Sequence, residues 1–576
     1  MPTTNLTFQI EPQICSILAR HPNLLTSSTD LNRVSDIVDS SSYRHIAEQE
    51  SSPFITLLMN SDGVLLKKIS YSIWITCFAI NELPASVRFD PENIIVAMVS
   101  HSSAKAKLKR KEMQILLNKL VDQLIILERE GVTITENNIH DNSVESISEL
   151  KEKSYKVFLY GGVCDKPATA MLTNMVECTG YYGCNLCTTE GIDIASGQGH
   201  VRSYVFLPDE QSTERTNQTH DFAVKNLRKM TLKTTNHNSG TDHFLGHKGP
   251  CALRRLKYFD VCQGFLVDSL HSLYAGCFKR LVSIELADKQ IQKKITEVFD
   301  TIHYPSSSYR IPRSLSYLKV YKGNEYRMAL LFGYRSFKNF ISDDKYQSLK
   351  TLAFAAHIGE SRFITPEMID EMNILLDEFD LRLPNMYSHK DIVPVVHAVS
   401  HLAECVARAG PMSNWNTFSF ESVVGSFARN INSAKAIGTE LKNSLELLHQ
   451  GWLAVSSTSF PAVGKHFIKQ MLANNHQALP SSLRNGSDRN SSVNNDVLFI
   501  IKQVSITSHA DQMVIDGQIL RCNNVMFGKI TKPIVYHMIR TSNIIEKLGF
   551  QYENSQSNAT NPSYIFFRYP NFRTNT

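Results

Sequence analysis

The stretch KVFLYGGVCDKPATAMLTNMVECTGYYGCNLC, Lys156 to Cys187, constrains this chain more than any other. An apolar run, Val157 to Tyr160, ends in two glycines. Asp165 follows in a turn closed by Pro167, then a helix-like segment from Ala168 to Val176. A Gly-Tyr-Tyr-Gly turn leads into Cys184-x-x-Cys187. A carboxylate at the end of a buried strand, just before a helix, suits hard-metal chemistry. The paired cysteines have the spacing of a zinc half-site, although a lone pair can also be redox-active or idle.

Around this stretch the chain reads β-β-β-α-β-α. The strands are Phe54–Met59, Tyr71–Ile80 and Ile94–Val99, with Asn60-Ser-Asp-Gly63 read as a turn. A helix from Ala104 to Glu130 carries leucines at 116, 117, 120, 124 and 127 and stops at Gly131. Three strands in series predict an antiparallel meander, and the strand after the helix crossover predicts parallel pairing. The helix front carries Lys105, Lys107, Lys109, Arg110 and Lys111. These read as a solvated basic face or as phosphate contacts.

The expected divisions are a lead-in at 1–50, a core at 51–210, a helical segment at 211–395 and a return to the core at 396–476. A linker at 477–496 and a β-rich module at 497–576 complete the chain. Within the return, Val395–Arg408 and Glu421–Ala436 read as helices. A net charge of +5 permits a polyanionic partner without demanding one. Eleven scattered cysteines argue against a disulfide framework and for a reducing compartment. No secretory signal and no membrane-length apolar run is seen.

Two-metal phosphoryl transfer needs clustered carboxylates. Asp62 and Asp165 end neighbouring predicted strands, and Glu421 opens a later helix that could pack on the same edge. The bland readings are a turn aspartate and a helix-dipole partner. His397-x-x-x-His401 supplies two imidazoles on one helix side, which with Cys184 and Cys187 would complete a Cys2His2 tetrahedron.

At this point the residues resemble a family. Asn60-Ser-Asp-Gly63, Cys164-Asp-Lys-Pro-Ala168 and Thr179-Gly-Tyr-Tyr-Gly-Cys-Asn-Leu-Cys187 are followed by Arg215-Thr216 and Gly264-Phe-Leu-Val-Asp-Ser-Leu-His271. Val396-His-Ala-Val-Ser-His401, Ala409-Gly-Pro411 and Phe418-Ser-Phe-Glu421 come last. This series is similar to DDE transposases of the eukaryotic CACTA-like (CMC) kind. The spacings also resemble those of the V(D)J recombinase catalytic subunit. The resemblance implies an α/β fold with an RNase H-like catalytic core, a mixed sheet flanked by helices, interrupted by a large helical insertion at 211–395. It implies that Asp62, Asp165 and Glu421 bind Mg²⁺ (or Mn²⁺) and that Cys184, Cys187, His397 and His401 bind Zn²⁺. Asp268 and His271 match an Asp-x-x-His motif of open role, and His271 is an alternative zinc ligand. The resemblance further implies double-stranded DNA, both transposon ends and target, as partner, a homo-oligomer, and a nuclear location. Two segments depart from the family pattern: Tyr321-Lys322 replaces a Trp-Lys, and Tyr387-Ser-His-Lys-Asp-Ile lacks a Thr-x-Asn lead. No separate N-terminal DNA-binding module is seen. The competing readings are a domesticated or inactive transposase-derived binding protein and a zinc-stabilised scaffold.

Overall fold

A computed structural model describes residues 4–28, 30, 32–66, 69–103, 108–136, 151–205, 212–233, 242–304, 310–429, 431, 433 and 436–456. It also describes 490–493, 497–506, 512–521, 539–540, 544–553 and 563–568. The chain divides into two compact units. One holds Met1–Leu273 and Phe363–Pro461, and the other holds Tyr274–Arg362 and Ala462–Thr574.

The first unit is a mixed seven-stranded sheet flanked by helices. In chain order it begins with β1 (Thr4–Thr7), α1 (Glu11–Arg20), α2 (Ser41–Gln49), β2 (Phe54–Leu66), β3 (Tyr71–Ile80), β4 (Ile94–Ser103) and α3 (Arg110–Glu130). Then come β5 (Val132–Glu136), β6 (Lys151–Cys164), α4 (Lys166–Leu172), the hairpin β7 (Ile192–Ser196) and β8 (Gly199–Ser203), α5 (Asn217–Lys233) and β9 (Phe265–Val267). The order across the sheet is β1-β4-β3-β2-β6-β5, and β9 also pairs with β6. Strands β2, β3 and β4 form the expected antiparallel meander, and β6 returns parallel to β2.

Helices α3 and α1 pack on this sheet in one shared core. Ile55 to Ser61 of β2 are buried without a break, as a strand covered on both faces must be. Helix α3 buries Met113, Leu116, Leu117, Leu120, Val121, Leu124 and Leu127, the stripe its spacing predicts. At ~1.5–3 kcal/mol per fully buried side chain, that stripe contributes roughly 10–20 kcal/mol before entropy is counted. Gly131 ends the helix at φ +76°, where a Cβ would lie 2.6 Å from the Tyr155 carbonyl oxygen. Helix α1 adds Ile14, Ile17 and Leu18 to the same core.

Several expectations change. Residues 1–50 are more than a lead-in, because β1 pairs with β4 and α1 packs into the core. Asn60-Ser-Asp-Gly63 is no turn: β2 runs through it to Leu66, with Asp62 opposite Ile75 and Gly63 opposite Trp74. The Trp74 ring covers Gly63, and its indole N–H donates to Ser61 Oγ at 2.7 Å. Cross-strand packing thus overrides the Asp-Gly turn signal. Nor do Gly161 and Gly162 end β6. They sit where β9 approaches, and a Cβ at Gly162 would meet the Phe265 ring at 2.8 Å. Helix α3 starts at Arg110. Lys105 and Lys107 lie outside the described residues.

The second unit contains α6 (Lys279–Glu285), α7 (Lys289–Phe299), α8 (Gly323–Leu331) and α9 (Asp343–Gly359). Buried Glu360 accepts from Tyr274 and Arg327 there. The chain then re-enters the first unit with α10 (Pro366–Met386), α11 (Pro394–His397), α12 (Leu402–Ala409), α13 (Thr417–Arg429) and α14 (Ile437–Ser456). Segment 211–395 is therefore not one helical block: it supplies α5, β9 and α10 to the first unit. The helix expected at 395–408 breaks into α11, a tighter turn over Ala398–His401, and α12. The helix expected at Glu421–Ala436 is α13, which starts four residues earlier. The expected linker 477–496 lies outside the described residues, except Asn490–Val493.

That segment is β10 (Asn490–Val493), which joins β11 (Val497–Ile506), β12 (Gln512–Arg521), β13 (Ile539–Arg540), β14 (Ile544–Glu553) and β15 (Ser563–Arg568). They form an antiparallel sheet in the order β13-β12-β11-β10-β14-β15.

The closeness of β6 and β9 generates a prediction. Gly162→Val should lower stability by about 1–3 kcal/mol, since its branched side chain overlaps the Phe265 ring. Urea unfolding followed by tryptophan fluorescence measures this. An unchanged midpoint would show that β9 does not need the bare backbone.

Candidate functional site

Two side-chain constellations lie in the first unit. The tighter one unites the Cys184–Cys187 turn with α11 and the turn after it. Cys187 Sγ lies 3.2 Å from His397 Nε2, and Cys184 Sγ lies 3.6 Å from His401 Nε2. All four ligand atoms fall within 4.8 Å of one another, and both cysteines are buried. A zinc tetrahedron with ordinary Zn–S and Zn–N bonds has edges of roughly 3.3–3.8 Å. The quartet fits a metal such as zinc. Cys187 and both imidazoles hold the Cys184 thiol well below its usual range, against its burial. A thiolate is the form that binds zinc.

The surroundings hold these ligands in place. Buried Arg215 donates from Nε to the Cys187 carbonyl at 2.6 Å and from Nη1 to the Leu245 carbonyl at 2.8 Å. The Gly183 N–H donates to the Tyr204 hydroxyl, which in turn donates to the Gly180 carbonyl. The Tyr204 ring stacks on His397, with centroids 5.2 Å apart. Glu404 lies 3.6 Å from His401 Nδ1, the second-sphere carboxylate typical of ligating histidines. Asp380 of α10 lines the cavity beside both histidines, and burial pushes its carboxyl up to about 6 against their pull.

The second constellation gathers acids at the ends of β6 and β9. Asp165 caps α4, accepting from Ala168 N–H at 2.7 Å. Pro167, in the first turn of α4, has no N–H to leave unsatisfied. Asp62 sits within β2 and accepts from Gly63 N–H. Burial first, then the Asp165 carboxylate, push Asp62 up to about 6, and Glu421 adds to the rise. Asp165 is also raised, by burial first and by Asp268 and Glu421, while His271 pulls it down. Asp62 thus feels the charges of Asp165 and Glu421, and Asp165 feels that of Glu421. Their oxygens do not share one ion position, however: among the described residues the Cys/His quartet is the one such group.

Asp268 and His271 supply what the sequence left open. Asp268 follows β9 and is buried. It accepts from Leu270 N–H, His271 N–H and the Thr417 hydroxyl, the last at 2.6 Å. His271 Nδ1 lies 2.5 Å from Asp268 Oδ2, and its Nε2 lies 3.2 Å from Glu421 Oε1. Burial would lower the imidazole, but these two carboxylates push it up to about 11. His271 therefore stands as an imidazolium between Asp268 and Glu421. It is not among the four residues of the Cys/His quartet, which is complete without it. The i, i+3 spacing of Asp268 and His271 signalled their shared face. Nothing local signalled their contact with Glu421 and Thr417, about 150 residues on.

No protein-family model and no curated protein matches the chain.

Metal content should be near one zinc per chain and fall to background in Cys187→Ser. A structural zinc contributes about 10–16 kcal/mol in small peptides, so 397–429 should lose hydrogen-exchange protection with the metal. Full protection in zinc-free protein would refute a structural role.

Asp62 gives a pH-dependent prediction. Its folded pKa lies above the ordinary 3.8, so its ionisation opposes folding. That cost is absent below about pH 4, grows as pH rises, and is complete above about pH 6. Asp62→Asn should therefore stabilise by up to about 3 kcal/mol at pH 7.5 without added divalent cations, and by little at pH 4. Urea midpoints at the two pH values test the sign.

Proposed function

We propose that the chain is a DDE-type DNA transposase, catalysing metal-dependent strand cleavage and strand transfer. In this reading β2, β3, β4, α3 and β6 form an RNase H-like core, and Tyr274–Arg362 is the body of the helical insertion. The observation that carries the reading is electrostatic: carboxylates at the end of β6 and on α13 raise the proton affinity of Asp62 in β2, and Glu421 of α13 also raises that of Asp165. Like charges gathered around the half-buried Asp62 and Asp165 are costly without a counter-cation, and such perturbed groups gather at functional sites.

Asp62, Asp165 and Glu421 would hold Mg²⁺ or Mn²⁺, whose preference for oxygen donors they match. Bound there, the metal would activate an attacking water or 3′-hydroxyl and stabilise the leaving oxygen. The chain's own residues orient the acids. Capping of α4 fixes Asp165. His271 holds one oxygen of Glu421, and Asp268 anchors the start of α13 through Thr417. The imidazolium also offsets part of the negative charge. The partner in this reading is double-stranded DNA, transposon ends and target, bound by a homo-oligomer in the nucleus.

A second reading is a transposase-derived protein that binds DNA or protein without catalysis. The observation favouring it is that Glu421 is engaged by His271, while the three acids share no single ion position.

Purified protein with DNA bearing the terminal repeats that flank its coding sequence separates the two. The first reading expects Mg²⁺-dependent 3′-end cleavage and joining, reduced to the uncatalysed background by Asp62→Ala or Glu421→Ala. Full activity in either variant would sink the triad assignment. Inactivity of the unaltered chain with bound DNA would favour the second reading.

A further inference from the structure

A groove of about 1350 Å³ runs between α3 and α5 in the first unit, floored by the segment around Cys251. Eight lysines and arginines line it against two carboxylates, Asp221 and Asp242. Four of the cations have carboxylate partners: Arg110–Glu177, Lys248–Asp242, Arg254–Asp221 and Arg255–Asp122. Those pairs consume both lining acids. Lys111 on the α3 wall and Lys225, Arg228 and Lys229 on the α5 wall are exposed, with no ion pair among the described residues. The α5 trio sits at i, i+3 and i+4, one continuous face of the helix. A chain of net charge only +5 thus concentrates four uncompensated cations in one groove.

The groove also has a direction. Its α3 wall is bonded to the far end of α4. Arg110 donates to the Ala170 carbonyl, and Gln114 Nε2 donates to the Met171 and Leu172 carbonyls at 3.0 Å. Asn174, just past α4, lines the groove and donates to the Pro250 carbonyl. Asp165 caps the other end of this seven-residue helix, about 10 Å away at 1.5 Å per residue. An anionic strand seated in the groove would pass within one short helix of the acids.

We infer that the α3–α5 groove seats the phosphate backbone of duplex DNA beside the acid cluster. The inference rests on the transposase reading for the identity of the polyanion. Exposed lysine and arginine supply the sequence-independent attraction, and the amides of Asn118 and Asn174 can donate to backbone oxygens. The groove would therefore position DNA without reading its sequence.

The test uses the full chain and a labelled 30-base-pair duplex of arbitrary sequence, with no added Mg²⁺. Binding is followed by fluorescence anisotropy over a salt series. K225A/R228A/K229A should flatten the slope of log affinity against log salt by roughly 2–3, at about 0.9 per lost contact. Affinity at physiological salt should fall about tenfold or more. K111A, on the opposite wall, should flatten the slope by about 1. K289A/K293A/K294A removes three exposed lysines of α7 and should leave the slope unchanged. Matching melting curves confirm that the variants fold. A groove triple with the parental slope, or one no flatter than the α7 triple, overturns the inference. So does a groove triple that loses polyglutamate binding while keeping duplex binding, since that marks an acidic-protein surface. Because no cleavage is read, duplex binding through the groove stands even if the chain never cuts DNA. A chain that cuts DNA with an unaltered groove slope would refute the groove alone.

Discussion

The contact between Cys187 and His397 joins segments 210 residues apart, and the placement of the acid cluster depends on it. His397 and His401 lie just before α12, and α12 is tied to the sheet along its length. The Val267 N–H lies 3.3 Å from Cys405 Sγ, and the Tyr160 hydroxyl donates to the Arg408 carbonyl at 2.6 Å. At the end of α12, Gly410 turns at φ +73°, and its carbonyl accepts from the fully buried Trp415 indole. Helix α13 starts two residues after Trp415. The quartet therefore fixes the first of several points that together aim Glu421 at β2 and β6. Two cysteines and two histidines packed this tightly would be costly to bury uncharged and unbonded. A bound metal turns that cost into a tether.

The acid cluster is balanced differently. Burial raises the proton affinity of Asp62 and Asp165, and each neighbouring carboxylate adds to the rise. Two devices oppose it: the amide N–H groups that cap Asp165 and Asp62, and the His271 imidazolium. Asp268 has all of its bonding directed inward, to Leu270, His271 and Thr417, so it positions other groups and is not free to receive a ligand. Asp62, Asp165 and Glu421 keep capacity that these bonds do not use. The division between a positioning acid and three available acids follows from hydrogen-bond geometry alone.

The parts of this arrangement that could be read from sequence are those with a short local signature. Cys-x-x-Cys and His-x-x-x-His announce paired ligands, the α3 stripe announces its helix, and the β-β-β-α-β order announces the meander and the parallel return. The parts that could not be read depend on distant partners. Asn60 to Gly63 has turn composition, yet Trp74 across the sheet makes it strand. Gly161-Gly162 looks like a strand end, yet the glycines admit β9. β9 itself has three residues, too few for any period to register. His271 was readable as sharing a face with Asp268, but its bond to Glu421 needs the whole first unit folded.

The place where the chain leaves the first unit bears on how such a site tolerates a large intervening body. His271 lies three residues before Tyr274, where the second unit begins, and the chain returns at Phe363. Each side of the departure is anchored within the first unit: β9 pairs with β6, and Ile364 exchanges backbone hydrogen bonds with Val34. Closing a flexible loop of that length costs roughly 4 kcal/mol, and doubling it would add only about 0.6 kcal/mol. The Asp268–Thr417 and His271–Glu421 bonds, with a metal in the quartet, are enough to offset a cost of that size. The length of the intervening segment is therefore a weak constraint on the acid cluster, whereas the anchors on either side of it are strong ones. A substitution at Thr417 or in the quartet should disturb Glu421 more than an equally large change inside Tyr274–Arg362.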